Sequence, residues 1–222
     1  MRAQNLSAFL LAGLAGLATA SPLAVRQAAS PTVTAPGPGA TGNPGSSDVD
    51  MVAAIKAILP SSGTCEGADA PDDCRTAEQA APFVSKSLEG FSPGQKAGVL
   101  ALMGLESVEF KYKHNVFPGR PGQGTANMMM INFVTKYAID VVGQDQVAGK
   151  GPNEILALVT VDEHNFGSGA WFLTTQCNAQ VQAALTTGTD AGWLAYNTCI
   201  GVDGSIPERM AYWNRAKEVF KL

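Results

Sequence analysis

From residue 48 onward the apolar residues recur at helical rather than strand spacing, and start and stop signals cut that pattern into lengths. Asp48 or Asp50 can cap a helix through Met51 to Leu59, which Pro60 stops. Thr76 can cap a second, reaching Leu88 and ended by Gly90. Ser92, Pro93 and Gln95 supply a cap, a first-turn proline and a reciprocal partner three residues on. The pattern behind them predicts a helix to about Tyr112. Helical spacing resumes over 128–142, 152–165, 170–185, 191–199 and 207–220, with Gly167, Ser168 and Gly169 read as a break. Alternating runs are scarce, and no repeat of roughly 20–50 residues is present. The expectation is a mainly α fold: one helical domain over residues 48–222, with at most a short β-hairpin. Its length suits a single domain with a sizeable core.

The segments before it read differently. Arg2, the apolar run Phe9 to Leu17 and the small residues Ala18-Thr19-Ala20 have the form of a secretory signal over residues 1–20. Residues 21–47 are rich in Pro, Gly, Ser, Thr and Ala and lack the apolar surface to fold, which predicts a flexible tail. The expected location is therefore extracellular, with no membrane association of the mature chain. Cys65, Cys74, Cys177 and Cys199 fit an oxidising compartment. Among the three possible connectivities, sequence proximity favours Cys65–Cys74 and Cys177–Cys199. No Cys-x-x-Cys occurs, and His114 and His164 lie far apart in sequence, so neither a metal nor a cofactor is expected. A formal net charge of -4 without a basic block argues against nucleic acid as a partner.

Glu106 stands out within the third helix. Val99, Met103, Glu106 and Phe110 form a stripe in which it is the one carboxylate among apolar side chains. Burial there disfavours the charged form and would suit a general acid. The plain alternative is a pairing with a Lys, or a rotated helix that puts Glu106 at the edge of the stripe. Glu109 follows three residues on, too close along one helix to flank the opposite face of a bond. Two further segments are read with Glu106-Ser107: Gly124 to Tyr137, a Met-rich loop entering a helix, and Ala195-Tyr196-Asn197-Thr198 near the end.

This order resembles the lysozyme-like superfamily, in particular lytic transglycosylases and goose-type lysozymes, over roughly residues 95–215. Met130 stands where that family usually has Gln, and Thr198-Cys199 replace its Ala-Gly. The resemblance implies Glu106 as general acid/base on an N-acetylhexosamine polymer, peptidoglycan or a chitin-type chain. It implies Tyr196 and Asn197 as sugar-binding residues, and a cleft wall carrying Arg120, Gln123 and Asn127. The expected molecule is a monomeric glycosidase; the alternative is a non-catalytic carbohydrate-binding or interaction protein on the same fold. Gly90 to Gly94 spell a nucleophile-elbow string, but helix capping accounts for Ser92. Trp171, Phe172, Trp193, Tyr212 and Trp213 are read as core, with one at most in a cleft.

Overall fold

The caps set the frame. In the computed structural model, which describes residues 49–222, Asp50 accepts hydrogen bonds from the Val52 and Ala53 amides and starts α1 (Met51–Ile58). Pro60 then opens a 3-10 turn. Thr76 and Gln79 form a capping box before α2 (Ala77–Ser87), and Ser92 and Gln95 form another before α3 (Pro93–Glu106). The chain continues through α4 (Ile131–Val142), α5 (Gln144–Val147), α6 (Pro152–Val159) and α7 (Asp162–Thr175). It ends with α8 (Ala179–Thr186), α9 (Asp190–Ile200) and α10 (Pro207–Phe220). The fold is mainly α. Among the described residues there is no strand and so no hairpin, only isolated bridges from Gly124 to His114 and Met129. The expected signal and tail, together with Asp48, lie outside the described residues.

Helix α3 is the axis of the molecule. Its residues from Ala97 to Gly104 are all buried, as an all-apolar helix requires. It packs against α10, α8, α7 and α1. Close approach is achieved by small residues: a Cβ at Gly104 would stand 2.0 Å from Leu59 Cδ2. Gly169 does the same from α7, where a Cβ would meet Val99 at 2.8 Å. This corrects the break expected at Gly167 to Gly169, which lie inside α7. Close packing of Gly169 on α3 and of Gly167 on Tyr137 of α4 overrides their poor helix propensity, and the chain breaks instead at Thr160-Val161.

Trp193 and Trp213 stack at 5.3 Å between α9 and α10, both fully buried, and each indole N–H has an oxygen acceptor. Cys177–Cys199 joins the entry of α8 to α9, and Cys65–Cys74 closes the loop before α2. No helix of the described residues is long and apolar enough to cross a membrane.

Candidate functional site

Helix α3 stops at Glu106, short of the expected Tyr112, because the next turn changes hand. Val108, Glu109 and Phe110 are three successive non-glycine residues with φ of 52°, 57° and 68°. Left-handed backbone costs about 1–2 kcal/mol per residue, so this turn needs external ties. Ser107 Oγ donates to the Met103 carbonyl and accepts from the Phe110 amide. The Arg75 amide donates to the Phe110 carbonyl at 2.9 Å. Glu109 accepts from the Ser61 amide and the Tyr212 hydroxyl, and the Phe110 ring packs edge-on to Phe166 at 5.0 Å. Burial, with the Glu109 carboxylate adding to it, pushes the Tyr212 phenol up to about 12.

The turn delivers Tyr112, Lys113 and His114 to the disulfide-closed loop. The Tyr112 hydroxyl donates to Asp69 at 3.0 Å, and His114 Nδ1 lies 2.5 Å from Asp73. The hydrogen bond to Asp69 and that carboxylate's charge raise the Tyr112 phenol above its ordinary range, with burial contributing. Lys113 points the other way, its ammonium 3.4 Å from Asp162, whose second oxygen is taken by Arg75 at 2.9 Å. Asn115 then folds the loop back on itself. Its side chain accepts from the Gly119 and Arg120 amides and donates to Gln123. Phe117 stands at the tip, 91% exposed.

Two clefts lie on either side of His114, Asn115 and Val116. One, of about 340 Å³, is lined by the carboxylates of Asp69 and Glu106, by Tyr112, and by the apolar Val108, Val116, Phe117 and Met128, besides the shared residues. The other, of about 440 Å³, is lined by Lys113, Arg120, Gln123, Asn153 and Thr160 among others.

The expected site residues fall in three groups. Glu106 lines the apolar cleft, but as an ion pair: Arg209 Nη2 donates to it at 2.6 Å. This corrects the expectation of a carboxyl among Met and Phe side chains. Val99, Met103 and Phe110 are buried, whereas Glu106 sits at the edge of their stripe with a guanidinium as partner. Tyr196 and Asn197 are fully buried and line neither cleft. Asn197 accepts from Arg209 at 3.4 Å and donates to the Trp193 carbonyl. The Tyr196 hydroxyl has no partner among the described residues, and burial, then the Glu106 charge, raises its phenol. Asn127 is also buried and lines neither cleft. Arg120 and Gln123 do line the polar cleft. Sequence reasoning missed Asp69, Asp73, Tyr112 and Lys113. The legible signal was the spacing: two aspartates four apart in a disulfide loop, and a Tyr-Lys-His run after a buried helix.

No family model matches the chain, and no solved structure matches it. The chain is 45% identical over 158 residues to a protein of Fusarium oxysporum (strain Fo5176) named bifunctional dioxygenase (DOX)-epoxy alcohol synthase (EAS). The match covers 65% of this chain and 12% of that relative, so the chain corresponds to a small part of its length. This finding overturns the lysozyme-like resemblance. The relative is named for oxygenation and epoxy alcohol formation, neither of which cleaves a glycosidic bond. The glycosidase reading, the carbohydrate-binding alternative and the peptidoglycan or chitin-type partner are corrected with it.

Proposed function

We propose that this domain is a disulfide-braced binding module for an amphiphile: a hydrocarbon chain bearing epoxide or hydroxyl oxygens. The carrying observation is the cleft beside Phe117, where apolar side chains face the polar Asp69, Glu106 and Tyr112. Val108, Val116 and Phe117 are exposed large apolar residues that converge on it, and Tyr112 and Glu106 supply polar groups beside them. Contiguous exposed apolar surface with a few placed polar groups is the usual form of a small-molecule site. The epoxy alcohol in the relative's name supports the same ligand chemistry.

The domain is read as a binder because it corresponds to 12% of the length of the relative named for oxygenation, and its clefts set apolar side chains beside polar ones. Dioxygen chemistry is carried by a haem, flavin or metal group. Among the described residues no three His, Cys, Asp or Glu side chains are grouped to hold a metal ion. The four cysteines are all in disulfides, and His114 is engaged at Nδ1 by Asp73. No step is derived through such a group.

Residues 1–20 act as a secretory signal and 21–47 as a tether; the two disulfides support an oxidising destination. Isothermal titration with a long-chain epoxy alcohol tests the binding reading. Saturable binding is expected, weakened about tenfold in Phe117→Ser by the lost apolar contact. Absence of binding by the unaltered protein would sink it.

A further inference from the structure

His114 is the titratable residue that the two clefts share. Its ring is held from one edge. Nδ1 lies 2.5 Å from an oxygen of Asp73, and the same oxygen accepts from the Lys113 amide at 3.1 Å. Asp73 adjoins Cys74, which the disulfide to Cys65 ties down. A carboxylate at Nδ1 places the proton of a neutral imidazole there and leaves the lone pair on Nε2. Among the described residues the His114 side chain has no other polar partner, and it is 47% exposed. An oriented imidazole with one open nitrogen on a cleft wall has the form of a general base with its orienting group.

The cleft beside Phe117 limits what such a base can do. Its lining has no Ser, Thr or Cys, and its carboxylates are engaged, Asp69 by the Tyr112 hydroxyl and Glu106 by Arg209. The nucleophile left for the base to activate is water. The Tyr112 proton is committed to Asp69 at 3.0 Å, so the cleft offers no separate acid for a leaving oxygen. Opening an epoxide calls for such an acid while the base holds the water proton. Hydrolysis of an ester does not, because one imidazole takes the proton and then returns it. A neutral ester also meets the two carboxylates without charge repulsion, and its chain packs against Val108, Val116 and Phe117.

We infer that His114 is the general base of an ester-hydrolysing site in this cleft, with Asp73 as its positioning residue and a neutral aliphatic ester as substrate. The inference rests on the reading of the cleft as the seat of a hydrocarbon chain and adds an activity to it. Nε2 takes a proton from water as the water oxygen bonds to the carbonyl carbon. The oxyanion so formed accepts from the amides of Val116 and Phe117, which belong to cleft-lining residues and donate to nothing among the described residues. The bond from that carbon to the alcohol oxygen then breaks, and the imidazolium returns its proton to the departing oxygen. The acid product ionises beside Asp69 and Glu106, and like-charge repulsion favours its departure.

The test is release of octanoate from ethyl octanoate by the full chain, followed by acid titration at fixed pH. Saturable turnover is expected. His114→Ala should lower kcat about a hundredfold. Added imidazole should restore part of the loss, since the side chain it replaces is a half-exposed wall of the cleft. Asp73→Ala should lower kcat by less than His114→Ala does, with KM unchanged. Asp73→Asn should recover part of that, because an amide oxygen can take the same two N–H groups. A merely structural Asp73 would move KM and the thermal midpoint instead. Binding of the long-chain epoxy alcohol without any ester turnover overturns the hydrolysis and leaves the binding reading standing. Turnover that survives in His114→Ala, or a folded His114→Ala that imidazole does not restore, overturns it by placing the base elsewhere. Failure of the unaltered protein with both ester and epoxy alcohol overturns the reading of the cleft and the activity together.

Discussion

Arg209 is held at both arms of its guanidinium, by Glu106 at 2.6 Å and by Asn197 at 3.4 Å. It is 8% exposed, and the Glu106 side chain is 22% exposed, so the pair is largely removed from water. Breaking such a pair from one side costs more than removing both partners, because the survivor stays desolvated. Arg209→Met is expected to destabilise the fold by about 3 kcal/mol, and the double variant with Glu106→Leu to recover most of that loss. Urea unfolding of the two variants side by side measures it; equal losses would show that the pair is not coupled. The same trio explains why the sequence misled at this scale. Glu106 and Asn197 share Arg209, and Tyr196 is buried near the Glu106 charge without a hydrogen-bond partner among the described residues. Nothing in the spacing of the three marks a guanidinium arriving from another helix to pair with Glu106 and Asn197. A stripe can reveal that a carboxylate is near apolar neighbours, but not which distant charge will meet it.

At the scale of elements, local chemistry was readable wherever it was self-contained. The capping boxes at Thr76 and Ser92 involve partners three residues apart, so the starts of α2 and α3 follow from short strings. The glycines of α7 could not be read that way. Gly169 answers to Val99 and Met103 of α3 and Gly167 to the Tyr137 hydroxyl of α4, and Gly104 likewise answers to Leu59. Gly104→Ala should therefore destabilise rather than help. Helix propensity favours alanine by about 1 kcal/mol, whereas an overpacked core costs about 1–3 kcal/mol. With Leu59 Cδ2 only 2.0 Å from the new Cβ, the cost should dominate. The midpoint of urea unfolding should fall; a rise would mean that Leu59 moves aside freely. The end of α3 was illegible for a related reason. Val108 to Phe110 are ordinary helix or strand residues by type, and their left-handed turn is imposed by Ser61, Arg75 and Tyr212 from elsewhere in the chain.

Over the whole molecule the two disulfides have separate duties. Cys177–Cys199 spans 22 residues and fastens α8 to α9, while Cys65–Cys74 spans 9 and steadies the loop bearing Asp69 and Asp73. Loop-closure entropy then ranks them, at about 3.4 and about 2.6 kcal/mol. Replacing Cys177 and Cys199 by alanine should lower the thermal midpoint more than replacing Cys65 and Cys74. The second replacement should instead show most in ligand affinity, and a reversed order in either measurement would contradict this division. The mainly α architecture was legible from the helical period, but the ligand chemistry was not. It resides in residues 106–130, where a loop takes its shape from side chains that the period does not describe.

That loop begins where the backbone reverses hand at Val108 to Phe110 and ends where α4 resumes at Ile131. Lys113, Thr125, Ala126 and Met129 are buried against the scaffold, so the exchangeable cassette is the exposed tip around Phe117. Its length and side chains can diversify without disturbing α3 or α4. Lineages that keep the helices while rewriting this insert would inherit one durable frame and a changing repertoire of guests.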